Sequence, residues 1–471
     1  MKQLRWVIIL AVSAVLLTVV FLFVNKNAEK KEKQAKAGES KQLFSIDVDD
    51  VTRIVVDNED GHFAFDWSNS AGTWELVSAD RFNLNPYAVQ AICTAFCTLW
   101  SEKTIAFDCK DTSPYGFDEP VKVQVYTKQT GTENPYILYV GDNTPTYDSY
   151  YAMVDGSDDV YTIDYSSGSM FCVAKNTLKN LFLFDTTSGN VDYYRAEDAD
   201  GNVIELKRDS STLWQLLKPD VQQDLDRSSV DAIVSALIRV TVTAYMQDDP
   251  DNLAMYGLDK PQLKLLIQGR ASDADHTPMN EEIWFGKNIS DKPDETEMYG
   301  YFVNSNQVFK LLRADVAAIH QDLIDYLVPY CASVNVSEVK SIDIDLGDVL
   351  NVKTKLDIDY ENDTYMLDGK QVTGEENLSL CQNFYRSVTQ LRFSEIDLDA
   401  KPEGEPAMRI TYDFHDGTST ELGFVQFADN NFYLMRNDEY TGLTVRLNRF
   451  TSVNSLTKNY ETLAEAMKKA S

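Results

Sequence analysis

The hydrophobic pattern divides the chain sharply. Residues 6–24 hold no charge, and Ser13 and Thr18 are their only polar side chains. Downstream, apolar residues alternate with polar ones or recur at helical spacing. Stretches 51–56 and 63–67 alternate with period two around Asp60-Gly61, the signature of a β-hairpin. A strand ending at Trp74-Glu-Leu-Val77 leads to Asn85-Pro86, an N-cap followed by a first-turn proline. Val89, Ile92, Cys93, Phe96, Leu99 and Trp100 then recur with helical period, which predicts a helix running to about residue 100. Strands are expected at 121–126, 136–140, 150–154 and 160–163, followed by a short helix.

The same order returns. Tyr115, Gly116, Asp118 and Pro120 reappear 141 positions later as Tyr256, Gly257, Asp259 and Pro261, and Trp74 reappears 140 positions later as Trp214. Tyr139-Val-Gly-Asp-Asn143 matches Trp284-Phe-Gly-Lys-Asn288, and Val230, Ile233, Val234, Leu237 and Ile238 repeat the helix face. A third, more divergent copy starts near Ser341-Ile-Asp-Ile-Asp345, with Tyr365 where the tryptophans stood and no Tyr-Gly before its Pro406 strand. The expected fold class is therefore α+β: an N-terminal transmembrane helix followed by three tandem repeats, each a mostly antiparallel sheet with a packed helix. The expected divisions are 1–41 for anchor and charged tether, then 42–185, 186–330 and 331–471 for the three units.

Charge sharpens the division. Residues 1–41 are locally +5, whereas residues 42–471 hold 35 Lys and Arg against 71 Asp and Glu, a net −36. So acidic a body excludes nucleic acid as its partner, since that affinity needs a basic footprint. The span 6–24 is long enough for a single membrane crossing and lacks the small-residue cleavage pattern of a secretory signal. It predicts a cell-membrane, single-pass protein with its N-terminus cytoplasmic and its body extracytoplasmic.

Candidate chemistry is sparse. Gly after Tyr, then Asp and Pro, suits a tight turn into a strand, so Tyr115, Gly116, Asp118, Pro120, Tyr256, Gly257, Asp259 and Pro261 read as a repeated turn motif. Tyr147, Tyr150 and Tyr151 in the first unit and Tyr299, Tyr301 and Phe302 in the second form a candidate aromatic interaction surface. The acidic runs Asp47/Asp49/Asp50, Asp198/Asp200 and Asp343/Asp345/Asp348 read as solvated strand faces or turns rather than cation sites. Six cysteines without CxxC spacing and four dispersed histidines, His320 among them, offer no metal set and no catalytic constellation. Neither a catalytic residue nor a cofactor motif can be assigned, and the sequence names no ligand.

The uncharged span, the Lys/Glu-rich stretch after it, Leu43-Phe-Ser-Ile-Asp-Val-Asp49, the repeated Gly-x-Trp-x-Leu and the Tyr-Gly-x-Asp-x-Pro motif together resemble the domain of unknown function 4340 family of bacterial membrane proteins. The resemblance implies an auxiliary role beside the permease or ATPase subunits of a gliding-motility-type ABC transporter, and the anchor, the repeats and the lack of a catalytic motif make a non-enzymatic role the expectation. A cell-envelope polysaccharide binder or hydrolase, and a structural spacer, are the alternatives.

Overall fold

The alternation at 51–67 folds back on itself as a hairpin, with Val56 opposite Phe63 and Asn58 opposite Gly61. The computed structural model describes residues 38–79, 82–209, 212–272 and 276–470. Its first unit runs β1 (Lys41–Gln42), β2 (Val51–Asn58), β3 (Gly61–Ser68), β4 (Thr73–Leu76), α1 (Pro86–Cys97), β5 (Trp100–Ser101), β6 (Lys103–Ala106), β7 (Val121–Thr127), β8 (Tyr136–Asn143), β9 (Ser149–Val154), β10 (Val160–Asp164) and α2 (Tyr165–Phe171). The second has β11 (Val191–Asp198), β12 (Val203–Arg208), β13 (Trp214–Lys218), α3 (Arg227–Leu237), β14 (Val242–Asp248), β15 (Leu263–Arg270), β16 (Pro278–Asn288), β17 (Glu297–Phe302), β18 (Gln307–Leu312) and α4 (Arg313–Ile319). The third has β19 (Val339–Asp345), β20 (Lys353–Asp359), β21 (Thr364–Leu367), β22 (Lys370–Gln371), α5 (Glu375–Thr389), β23 (Glu395–Ile396), β24 (Met408–Phe414), β25 (Ser419–Ala428), β26 (Asn431–Arg436), β27 (Glu439–Arg446) and α6 (Leu456–Ala470).

Three large sheets share one topology: β4-β3-β2-β7-β8-β9-β10-β6, β13-β12-β11-β15-β16-β17-β18-β14, and β22-β21-β20-β19-β24-β25-β26-β27-β23. In each, an opening meander ends on one edge and the helix carries the chain across a sheet face to the opposite edge. A second meander then fills the middle. The helix buries Val89, Ile92, Cys93, Phe96 and Cys97 in unit one and Val230, Ile233, Val234 and Leu237 in unit two. Each meets fully buried strand residues such as Ile54, Phe65 and Val123, or Tyr194, Leu265 and Ile283. Burying one such side chain contributes about 1.5–3 kcal/mol, so these two stripes hold helix to sheet.

The helix starts obey local chemistry. The Asn85 side chain accepts from Tyr87 N–H, and Asp226 from the N–H groups of Ser228 and Ser229. Asp226→Ala is expected to cost about 1 kcal/mol, read as earlier urea unfolding of the second unit.

Four expectations need correction. The transmembrane helix is not part of the fold seen: among the described residues no helix is long and apolar enough to cross a membrane, and residues 6–24 lie outside the described residues. The longest helices among the described residues, α5 and α6, have 15 residues, roughly 22 Å at about 1.5 Å per residue, short of the ~30 Å hydrocarbon core. The single-pass membrane expectation is therefore withdrawn. Second, the described residues form four sheets, since β1 pairs with β5 separately, and each unit packs more than one helix. Third, α1 stops at Cys97, and Trp100 lies 52% exposed on β5 rather than on the helix face. Fourth, Val48–Asp50 is a 3-10 turn, because the Asp47 carboxylate accepts the Asp49 N–H and competes with strand pairing.

Each unit is strapped to the chain that enters it. Leu43 N–H donates to Leu99 O (2.9 Å), Leu183 N–H to Val240 O (3.0 Å) and Cys331 N–H to Leu391 O (2.7 Å). In every case the incoming chain lies antiparallel to the segment just after the helix. The straps into units two and three are also held by the preceding unit: Asn85 N–H donates to Leu178 O (2.8 Å) and Asp226 N–H to Tyr326 O (2.9 Å), with bridges Leu84–Lys179 and Leu225–Leu327. After unit three α6 packs along α5 instead, the covered end that repeat arrays require.

Candidate functional site: the clefts between units

The Tyr-Gly turns come first because their geometry recurs. Gly116 (φ +81°) and Gly257 (φ +69°) end short 3-10 turns in the left-handed region, which glycine adopts without strain. A Cβ on Gly141 would lie 2.1 Å from the Tyr115 carbonyl oxygen, and one on Gly286 2.3 Å from that of Tyr256. Two glycines from separate segments thus let the turn lie flat on the neighbouring strand. Asp118 accepts from the Ser113 hydroxyl (2.8 Å) and closes the turn, and both Asp118 and Asp259 are exposed. Pro120 and Pro261 precede β7 and β15.

The motif tyrosines meet the aromatic clusters. Tyr115 packs edge-on to Tyr151 at 4.9 Å and Tyr256 to Tyr299 at 5.0 Å, so motif and cluster form one device in each unit. The clusters do not stay together as surfaces. Tyr147 is 74% exposed on a loop, and Tyr150 packs on Tyr165 and Gly168. Tyr301 and Phe302 are both buried: Tyr301 lies against Trp284 and donates to Asn306 Oδ1 (2.6 Å), while Phe302 sits in the main core beside Phe309. Successive strand residues face opposite sides, which explains the separation of Tyr150 from Tyr151 and of Tyr301 from Phe302.

The acidic runs scatter likewise. Asp198 folds its carboxylate onto Asp200 N–H and Asn202 N–H, a hairpin turn. Asp343 projects outward from β19 between buried Ile342 and Ile344. His320 sits among Asp198, Asp322, Glu395 and Asp397 on a cavity of about 670 Å³ between units two and three. Burial lowers its pKa against the opposing pull of Asp198 and Asp322. Among the described residues no group of three His, Cys, Asp or Glu could hold a metal ion.

What the structure does assemble are two equivalent clefts. The first, about 730 Å³, lies between units one and two and is walled by Trp67 and Trp74, by Pro86 and Tyr87 at the start of α1, and by Leu181 and Phe182 of the strap. The second, about 810 Å³, lies between units two and three and is walled by Trp214, Gln215 and Leu216 of β13, by Arg227 at the start of α3, and by Val328 and Tyr330 of the strap. Phe182 and Tyr330 hold equivalent places, bridging to Thr241 and Arg392. Tyr87, Leu181 and Phe182 are 83%, 49% and 51% exposed, so the first cleft offers water an apolar wall. The Trp74 indole donates to Gln90 Oε1 (2.9 Å), whereas the Trp214 indole N–H is buried and finds no acceptor among the described residues, and exposed Asp231 stands where Gln90 stands.

Different polar joints hold the two clefts open. At the first, the Lys179 ammonium, 2% exposed, meets Asp248 at 2.6 Å and lies 4.7 Å from the Tyr245 ring centre, while Lys175 reaches the other Asp248 oxygen at 2.9 Å. At the second, Arg436 donates to Gln222 O (2.9 Å), Gln223 Oε1 (2.7 Å) and Cys331 O (2.9 Å), and Gln223 Nε2 donates to the Val328 and Tyr330 carbonyls. Burial lowers the Arg436 pKa, opposed by the Asp224 charge. Arg436→Leu is expected to weaken this joint by about 3 kcal/mol, seen as faster protease cleavage within 219–226.

The family described as Domain of unknown function (DUF4340) matches over residues 74–224 and again over 214–407. The chain belongs to this family. Neither a curated protein nor a solved structure matches it. The two family matches begin at the cleft tryptophans, Trp74 and Trp214, and each runs through a helix, a strap and the meander of the following unit. Each match thus joins the tryptophan strand of one unit to the opening strands of the next rather than covering one whole sheet.

Proposed function

We propose that the chain is a non-enzymatic interaction module, acting outside the cytoplasm as an auxiliary element of an ABC transport system and holding partner protein in the clefts between its units. The observation that supports this reading is the recurrence of one cleft at both junctions, with the same tryptophan edge, helix start and strap aromatic, in a chain whose titratable groups are dispersed. The transporter association rests on the family resemblance. The glycan alternative has less to stand on, since Tyr301 and Phe302 of its surface are buried. Cross-linking in cells followed by affinity recovery of the full chain is expected to yield a permease or ATPase subunit attached near residues 214–227 or 328–336. Recovery of transporter subunits no better than from a chain-free control would overturn the association.

A further inference from the structure

The third strand of each opening meander, β4, β13 or β21, carries Trp74, Trp214 or Tyr365 at equivalent positions. Hydrogen-bond alternation fixes which way these residues point. Val77 N–H donates to Ala64 O, Asp209 N–H to Leu213 O and Asp368 N–H to Lys355 O. Counting in steps of two, Glu75, Gln215 and Met366 pair inward, and the main-chain groups of Trp74, Trp214 and Tyr365 point away from the sheet.

In unit three that outward edge is occupied. The chain turns back as β22, with Met366 opposite Gln371 and Leu367 opposite Lys370, and Val372 N–H donates to Tyr365 O at 2.9 Å. Among the described residues, units one and two have no such strand. The outward groups of Trp214 and Leu216 make no hydrogen bond to a described residue, and they face the 810 Å³ cleft, whose far wall is the stretch from Ala332 to Val336. Its lining includes Val221, Leu225 and Val334, all partly buried apolar side chains. Neighbouring strands sit about 4.8 Å apart, and an edge left unpaired is a ready template for another chain.

Resting on the interaction-module reading, we infer that the β13 edge binds an extended segment of a partner protein as an added antiparallel strand, in the place that β22 fills in unit three. The third unit itself indicates the occupant, a strand of the same polarity making the same bond to the residue equivalent to Trp214. The alternating pattern follows: every second side chain of the segment meets Val221, Leu225 and Val334, so those positions are apolar. Charge complementarity sets the others, because a body of net −36 favours a basic segment.

The probe is a fluorescent, capped ten-residue peptide of alternating Val and Lys, added to the full chain. Binding by anisotropy is expected, together with slowed hydrogen exchange at the Trp214 and Leu216 amides. The same peptide N-methylated at alternate residues should bind at least about tenfold more weakly while leaving the protein untouched, and a Val-Glu peptide should also bind more weakly. Leu216→Pro removes an outward N–H, which an edge strand tolerates, and should weaken binding about tenfold with circular dichroism unchanged. Equal binding of the N-methylated peptide, protection elsewhere on the chain, or no binding overturns the inference. Protection of the same amides that rises with protein concentration alone would make the occupant a second copy and overturn it as well. In cell cross-linking, partners recovered equally with Leu216→Pro overturn the edge while leaving the module reading intact. Peptide binding with no cellular partner recovered overturns the module reading alone.

Discussion

Asp248→Leu is expected to destabilise the first junction by about 3–5 kcal/mol, the range for breaking a buried ion pair by removing one partner. Lys179 is 2% exposed and held at 2.6 Å from Asp248, so the substitution strips a buried ammonium of that carboxylate, and Gln307, which donates to the same oxygen at 3.0 Å, loses its acceptor too. Lys179→Met should cost less, because Asp248 keeps Lys175 and Gln307. The joint is also acid-sensitive. Burial pushes the Asp248 carboxyl up, but bonds from Lys179 and Lys175 outweigh it and hold the group below its ordinary value. A carboxyl lowered by folding stabilises at neutral pH, and its contribution disappears as pH falls from the ordinary aspartate value of about 3.9 through the folded one. Native chain should lose strap protection, read by hydrogen exchange at 179–184, across that acid range. Asp248→Leu should lack that protection at pH 7 and show a flatter response to acid.

Gly141→Ala is expected to destabilise unit one by about 2–4 kcal/mol, since the new methyl would sit 2.1 Å from the Tyr115 carbonyl oxygen, a backbone atom that cannot swing aside. Gly286→Ala should do the same in unit two. Gly156→Ala is the control: it has positive φ but nothing within 4 Å of its Cβ, so only backbone strain of about 1–2 kcal/mol remains. Denaturant titration with hydrogen exchange across 115–152 separates the cases. Equal costs at Gly141 and Gly156 would mean that the turn does not rest on β8.

The amphipathic helices and hairpins were legible because each depends on residues a few positions apart. The Asn85 cap, the Asp60-Gly61 turn and the buried stripe from Val89 to Phe96 are of this kind. The two halves of the glycine device were also visible as separate repeats, Tyr115-Gly116 and Val140-Gly141. Their contact was not, because it joins residues about 25 apart through a strand register that no local pattern encodes. The clefts were hidden for a stronger reason. Trp74 and Phe182 line one cleft from positions more than a hundred residues apart, and an open edge is defined by a neighbour that is missing from the fold. The ninth strand of unit three was equally hidden, since Lys370-Gln371 is polar and two residues long. The aromatic surface misled because strand neighbours share sequence but not a face: Tyr301 and Phe302 are adjacent and lie on opposite sides of one sheet.

The straps give the chain a natural place to be shortened. Each one finishes a unit at one end and begins the next at the other, so the joints are near residues 178 and 327 rather than midway between sheets. Splicing 178 directly to 327 would remove one full period while leaving one strap, one cleft and the covered end formed by α6. Array length is therefore a quantity that recombination could change in whole steps without asking any sheet to refold.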